Sequence, residues 1–143
     1  MEIAERSSIV LLEECQEILN KNPFGKLLQM EILEVSEGFV KAKLSFRKEL
    51  ANVYGDFHGG ALYAAADTLC GIAASTYGYY VTTVDGSIQY LKAGRNTEYV
   101  VCEGKVIKPG KNISVVQFQV TDDKEMLLNT GTFTFYNLKK KEN

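Results

Sequence analysis

The sequence predicts an α+β protein in which an antiparallel sheet packs against one long buried helix. Three observations lead there. Residues 59–75, GGALYAAADTLCGIAAS, are small or apolar on nearly every side and contain no proline, so they suit a helix that other elements must wrap. Val40, Ala42, Leu44 and Phe46 alternate with Lys41, Lys43 and Ser45, which is the period of a half-buried strand. Four further strand segments follow the helix, and the turn-forming runs Pro109-Gly110-Lys111-Asn112 and Asp122-Asp123-Lys124-Glu125 join successive members.

In chain order, Ser7 or Ser8 is placed to cap a short N-terminal helix running to about Asn20, with Ile9, Leu12, Ile18 and Leu19 as its apolar stripe. Asn22-Pro23-Phe24-Gly25 ends it. Residues 27–35 and 39–46 read as a hairpin around Ser36-Glu37-Gly38. Residues 47–57 form a loop leading into the central helix, and Tyr77-Gly78-Tyr79-Tyr80 closes that helix. Strands are expected at 81–92, 98–108, 113–122 and 126–137, with Val84, Ile88 and Tyr90 on one side of the first. Residues 139–143 read as a frayed, solvated tail. The pattern contains no internal repeat, and by itself it reaches the fold class but not the topology.

Composition narrows the function. A chain of 143 residues with 45% hydrophobic side chains is long enough for one well-packed domain, 1–143, and short for two. A net charge of -2 gives no general attraction to nucleic acid or to a membrane surface, and no apolar run approaches the length of a span. The first residues mix acidic with apolar side chains, as an amphipathic helix does and a signal peptide does not, so the default location is the cytoplasm. Cys15, Cys70 and Cys102 are an odd number with no CxxC pair, which argues for reduced packing residues and against a disulfide framework or structural zinc. Cys70 lies one turn beyond Asp67, but no second histidine is available to activate it. With one histidine and no clustered carboxylates, no metal is expected.

The chemistry concentrates in residues 52–74. Gly59 and Gly60 open the helix where its first N–H groups lack intrahelical partners and carry the positive end of the dipole, a good place for a developing oxyanion. Asp67 interrupts the apolar helix and needs a partner or a task, because a carboxylate among alanines is expensive to bury. Eight positions separate Gly59 from Asp67, about 12 Å along the axis, so one carbonyl cannot touch both. If Gly59 N–H polarises a carbonyl and Asp67 attacks it or activates water beside it, the two must come from antiparallel helices of a dimer.

Asn52-x-x-Gly55-x-x-His58-Gly59-Gly60, followed by Asp67 and a Thr-Val-Asp strand, resembles the PaaI-like acyl-CoA thioesterases of the hotdog-fold superfamily. That resemblance implies an antiparallel sheet wrapped around the central helix and hydrolysis of an acyl-CoA, with coenzyme A as part of the substrate and no separate cofactor. It makes Asp67 the general base or nucleophile and Gly59 N–H the oxyanion donor, with Asn52 and His58 orienting the loop and thioester. Thr83 matches a position that holds water in some members, and Thr82 is one residue away. Where many members carry an Arg-Pro pair, this chain has Tyr90-Leu91-Lys92-Ala93, without the proline. The acyl chamber is expected to draw on Gly60, Leu62, Tyr63, Ala66 and Thr82, and the assembly to be a homodimer or a dimer of dimers, a homotetramer.

Each residue also has a plainer reading. His58 could only cap a helix, Asn52 only fix a turn, and Thr83 only occupy a strand. The glycines could serve close packing, and Asp67 could be a structural carboxylate at a dimer interface. Lys92, Arg95, Lys108 and Lys111 are candidates for the phosphates of coenzyme A. A non-catalytic acyl-CoA-binding module and a hotdog hydratase or dehydratase remain as alternatives. The hydratase ranks lower because His58 lies at the oxyanion end and not beside the carboxylate.

Overall fold

The computed structural model describes residues 3–142, with side chains from residue 11 onward. Helix α1 (Ile3–Lys21) begins ahead of Ser7 and Ser8, so the start expected there falls inside the helix; the side chains of Ser7, Ser8 and Ile9 lie outside the described residues. Asn22 starts a helix as well as ending one. Its Oδ1 accepts the N–H groups of Phe24 and Gly25 at 3.1 and 3.5 Å, capping α2 (Pro23–Leu28) with proline in the first turn. Leu27 and Leu28 therefore belong to α2 and not to the first strand, which starts only after Gln29 has taken a left-handed conformation.

Strands β1 (Glu31–Ser36) and β2 (Phe39–Ser45) form the expected hairpin, and Val40, Ala42 and Leu44 are sealed in the core. A short 3-10 turn (Lys48–Leu50) interrupts the loop before α3 (Gly59–Ser75). Then come β3 (Tyr79–Tyr90), β4 (Tyr99–Lys108), β5 (Ile113–Asp122) and β6 (Leu127–Lys140). All pairings are antiparallel and the order is β1-β2-β4-β5-β6-β3. Helix α3 packs against β2 through β6, burying Leu62, Leu69 and Ile72, each worth about 1.5–3 kcal/mol relative to exposure. This sheet around a long helix is the hotdog arrangement that the resemblance implied.

Two expectations are corrected at the sheet's edge. Residues 139 and 140 continue β6, pairing with Tyr80 and Tyr79, because the aromatic strand start offers them partners; Lys139 Nζ lies 5.6 Å from the Tyr80 ring centre. Val84, Ile88 and Tyr90 do not share one side in the simple alternation expected. A bulge between Thr83 and Asp85 re-aims Val84, which is 57% exposed, whereas Ile88 is half-buried. Strands β1 and β3 are the two edges of the sheet, and among the described residues β3 pairs only with β6. Among the described residues no helix is long and apolar enough to cross a membrane.

Candidate active site

The loop before α3 is built around two side chains. Asn52 Oδ1 accepts the N–H groups of Tyr54 (2.9 Å) and Asp56 (3.1 Å), folding the backbone into a tight turn. Its N–H and carbonyl close the same turn with Asp56 and Gly55. Asp56 is buried, and the Arg95 guanidinium grips it through Nε at 3.1 Å and Nη2 at 3.0 Å. Phe57 N–H donates to the Gly94 carbonyl, so the loop is fastened to the segment that follows β3.

This fastening presents His58 as the N-cap of α3. Its Nδ1 accepts the Gly60 N–H at 2.8 Å, so the ring proton sits on Nε2. Ala61 and Leu62 donate to the His58 carbonyl. Of the first four N–H groups of the helix, only that of Gly59 finds no acceptor among the described residues. The Tyr90 hydroxyl donates to the Gly59 carbonyl at 2.7 Å, and a side chain on Gly59 would come within 3.1 Å of the tyrosine ring. Burial, and then the neighbouring Tyr63, push the Tyr90 phenol above its ordinary value, so it stays a donor. A cavity of ≈ 320 Å³ opens here, with Asn52, Gly59, Leu62, Tyr90 and Lys92 on its wall.

Two turns along α3 the helix is less covered than expected. Ala64, Asp67, Thr68, Gly71 and Ser75 form a half-buried stripe, because positions spaced three and four apart share one side of a helix. Asp67 lies on that stripe and accepts the Thr83 hydroxyl on Oδ1 at 2.8 Å. A second cavity, ≈ 580 Å³, meets Asp67, Thr68, Thr82 and Thr83. Both threonines reach it at the bulge of β3. The two cavities have no wall residue in common.

Other expected site residues are scattered. Gly60 is exposed at the helix start, and Leu62 faces the Gly59 cavity. Ala66 is wholly buried, and Tyr63 stacks edge-on against Phe133 with centroids 5.1 Å apart; neither lines either cavity. Of the four basic candidates, Lys92 borders the Gly59 cavity, Arg95 is committed to Asp56, and Lys108 and Lys111 line neither cavity. All three cysteines are free and buried. Burial above all, then Cys102 and Asp67, hold the Cys70 thiol well above its ordinary value, and Cys102 is pushed up to about 12, so neither offers a thiolate. The sequence reading missed Tyr90 and the Asp56–Arg95 pair as parts of the site.

Among known proteins, the family model described as the thioesterase superfamily matches residues 54–129. A protein of Archaeoglobus fulgidus is 28% identical over 136 residues, 94% of this chain and 87% of its own. The acyl-coenzyme A thioesterase PaaI of Escherichia coli K12 is 23% identical over 101 residues, 71% of this chain and 72% of its own. The solved E. coli PaaI structure superposes with a TM-score of 0.86 at 18% identity, over 94% of this chain and 97% of that one. A hypothetical thioesterase protein of Streptococcus pneumoniae TIGR4, solved with coenzyme A, gives a TM-score of 0.76 at 25% identity, over 80% of this chain and 89% of that one.

Proposed function

Because the chain belongs to the thioesterase superfamily, as a PaaI-like thioester hydrolase with the hotdog fold, we propose that it hydrolyses an acyl-CoA in a site shared between two protomers. The coenzyme A held by the pneumococcal neighbour supports that thiol as the carrier. Gly59 N–H of one protomer polarises the thioester carbonyl and stabilises the oxyanion. Asp67 of the other removes a proton from water or attacks the carbonyl carbon itself. Thr83 occupies Asp67 Oδ1 and leaves Oδ2 for the reaction. His58 takes up the Gly60 N–H, so the neighbouring Gly59 N–H is the one left to the substrate, and Asn52 fixes the loop that carries both.

One observation carries the reading: a single chain holds the unclaimed Gly59 N–H in one cavity and Asp67 in another, about 12 Å apart along the helix. Neither cavity alone contains both groups that the chemistry requires. The edge position of β3, with Val84 57% and Tyr90 52% exposed, supports a two-fold partner there that supplies the missing half.

The test is release of coenzyme A thiol from short, medium, long and aromatic acyl-CoAs. Asp67→Ala is expected to lower kcat about 10²- to 10⁴-fold while the protein stays folded and oligomeric. Unchanged turnover in the variant would assign the base elsewhere. Binding without turnover by the natural sequence would favour an acyl-CoA-binding module.

A further inference from the structure

The cavity beside Asp67 has two unlike ends. At one stand Asp67 and Thr83; at the other, past the C-terminal half of α3, stand Ser75 and Lys141. Eight positions separate Asp67 from Ser75, which makes that run about 12 Å. Its middle is apolar, with Ile72 and Phe135 on one side and Ile18 and Phe24 from the corner of α1 and α2 on the other. Gly71 lies on its wall beside the Phe135 ring.

Lys141 is the unexplained member. Its backbone N–H is fastened to the Gly78 carbonyl at 2.8 Å, the residue is half-buried, and its ammonium forms no ion pair among the described residues. A half-buried cation beside an apolar wall gains when an anion reaches it. From a carbonyl held at Asp67, the acyl group and the coenzyme A arm must diverge. The nucleotide arm suits the Gly59 cavity of the other protomer, with its Lys92, and a slender chain suits the channel along α3.

Resting on the thioesterase reading above, we propose that this channel seats the acyl group and that Lys141 selects chains ending in a carboxylate, so the preferred substrates are coenzyme A monothioesters of medium-length dicarboxylic acids. An extended eight-carbon diacid spans from Asp67 to a hydrogen bond with Lys141. A monocarboxylic chain of equal length fills the same channel and leaves the ammonium unpaired.

The experiment compares suberyl-CoA with octanoyl-CoA, which differ only in the terminal carboxylate. The ratio of their kcat/KM values is expected to exceed about tenfold in the natural protein and to fall to about one in Lys141→Met. Lys141→Arg should restore much of the ratio, and Lys124→Met, far from the channel, should leave it as in the natural protein. A natural ratio at or below one, or a ratio that survives Lys141→Met, would overturn the assignment. Calorimetric binding of suberyl-CoA to the same variants separates this proposal from the hydrolase reading. Tighter binding of suberyl-CoA that depends on Lys141, with no turnover, would sink hydrolysis and keep the seat; binding indifferent to Lys141 would sink the seat whatever the turnover.

Discussion

The 2.8 Å bond from the Thr83 hydroxyl holds a carboxylate that no cation accompanies among the described residues. A hydrogen bond to a charged group contributes about 1.5–3 kcal/mol, enough to fix which oxygen of Asp67 faces a substrate. Thr83→Val should therefore lower kcat roughly tenfold or more, at the lower end of that range, while Thr83→Ser keeps most of the activity. Steady-state kinetics on one good acyl-CoA decide it, and a Val variant with the natural kcat would reduce Thr83 to a strand residue. Asp67 stands out in the sequence because a lone carboxylate in a helix of small apolar residues has few innocent explanations, and the structure puts it on a cavity wall. Thr82 and Thr83 were not separable, since the bulge at Val84 that brings both to one cavity depends on pairing with β6. Tyr90 was illegible as a site residue because its hydroxyl meets a backbone carbonyl, and such a bond imposes no pattern on the partner's side chain.

At the scale of elements, the position of the Gly59 N–H depends on a loop that has little core of its own, with Val53 and Tyr54 93% and 80% exposed at its tip. Its anchor is the Asp56–Arg95 pair, in which the Asp56 side chain is 6% exposed and that of Arg95 64%. Arg95→Met leaves a buried carboxylate without its partner, a loss of stability that urea unfolding would read. Activity should fall as well, because the N–H moves with the loop. The double variant Asp56→Asn, Arg95→Met should recover part of the stability, and a single variant as stable as the natural protein would show the loop to be held by backbone bonds alone. The sequence presented Arg95 as a cation for phosphates, because a fork-shaped donor reads the same whether its acid lies 39 positions away or on a ligand. Helix α3 and β5 were legible almost to the residue, since their periodicity and turn residues are local. Helix α2 was not: Asn-Pro marks the end of one helix and the start of another with the same chemistry. The placement of β3 outside β6 was equally hidden, as strand order is set by long-range pairing.

At the scale of the whole molecule, a catalytic centre that draws on two chains is open to complementation. Asp67→Ala removes the carboxylate from every site its chain serves. Gly59→Pro removes the N–H, and the position tolerates proline: it is the first residue of α3, and His58 before it already has the extended φ -65, ψ 132 that a following proline requires. The new ring would press on Tyr90, a half-exposed side chain with room to yield. Each variant alone should be nearly inactive. Co-expressed in equal amounts they pair at random, half of the dimers are mixed, and each mixed dimer has one centre with both intact groups and one with neither. Activity should return to about a quarter of the natural value, in proportion to the mixed dimer isolated with two affinity tags. If Gly59 and Asp67 served one carbonyl within a single chain, each mixed dimer would contain only half-built centres and remain as inactive as its parents. Recovery in the purified mixed dimer therefore distinguishes a shared centre from two independent ones, without reference to which acyl group the channel along α3 accepts.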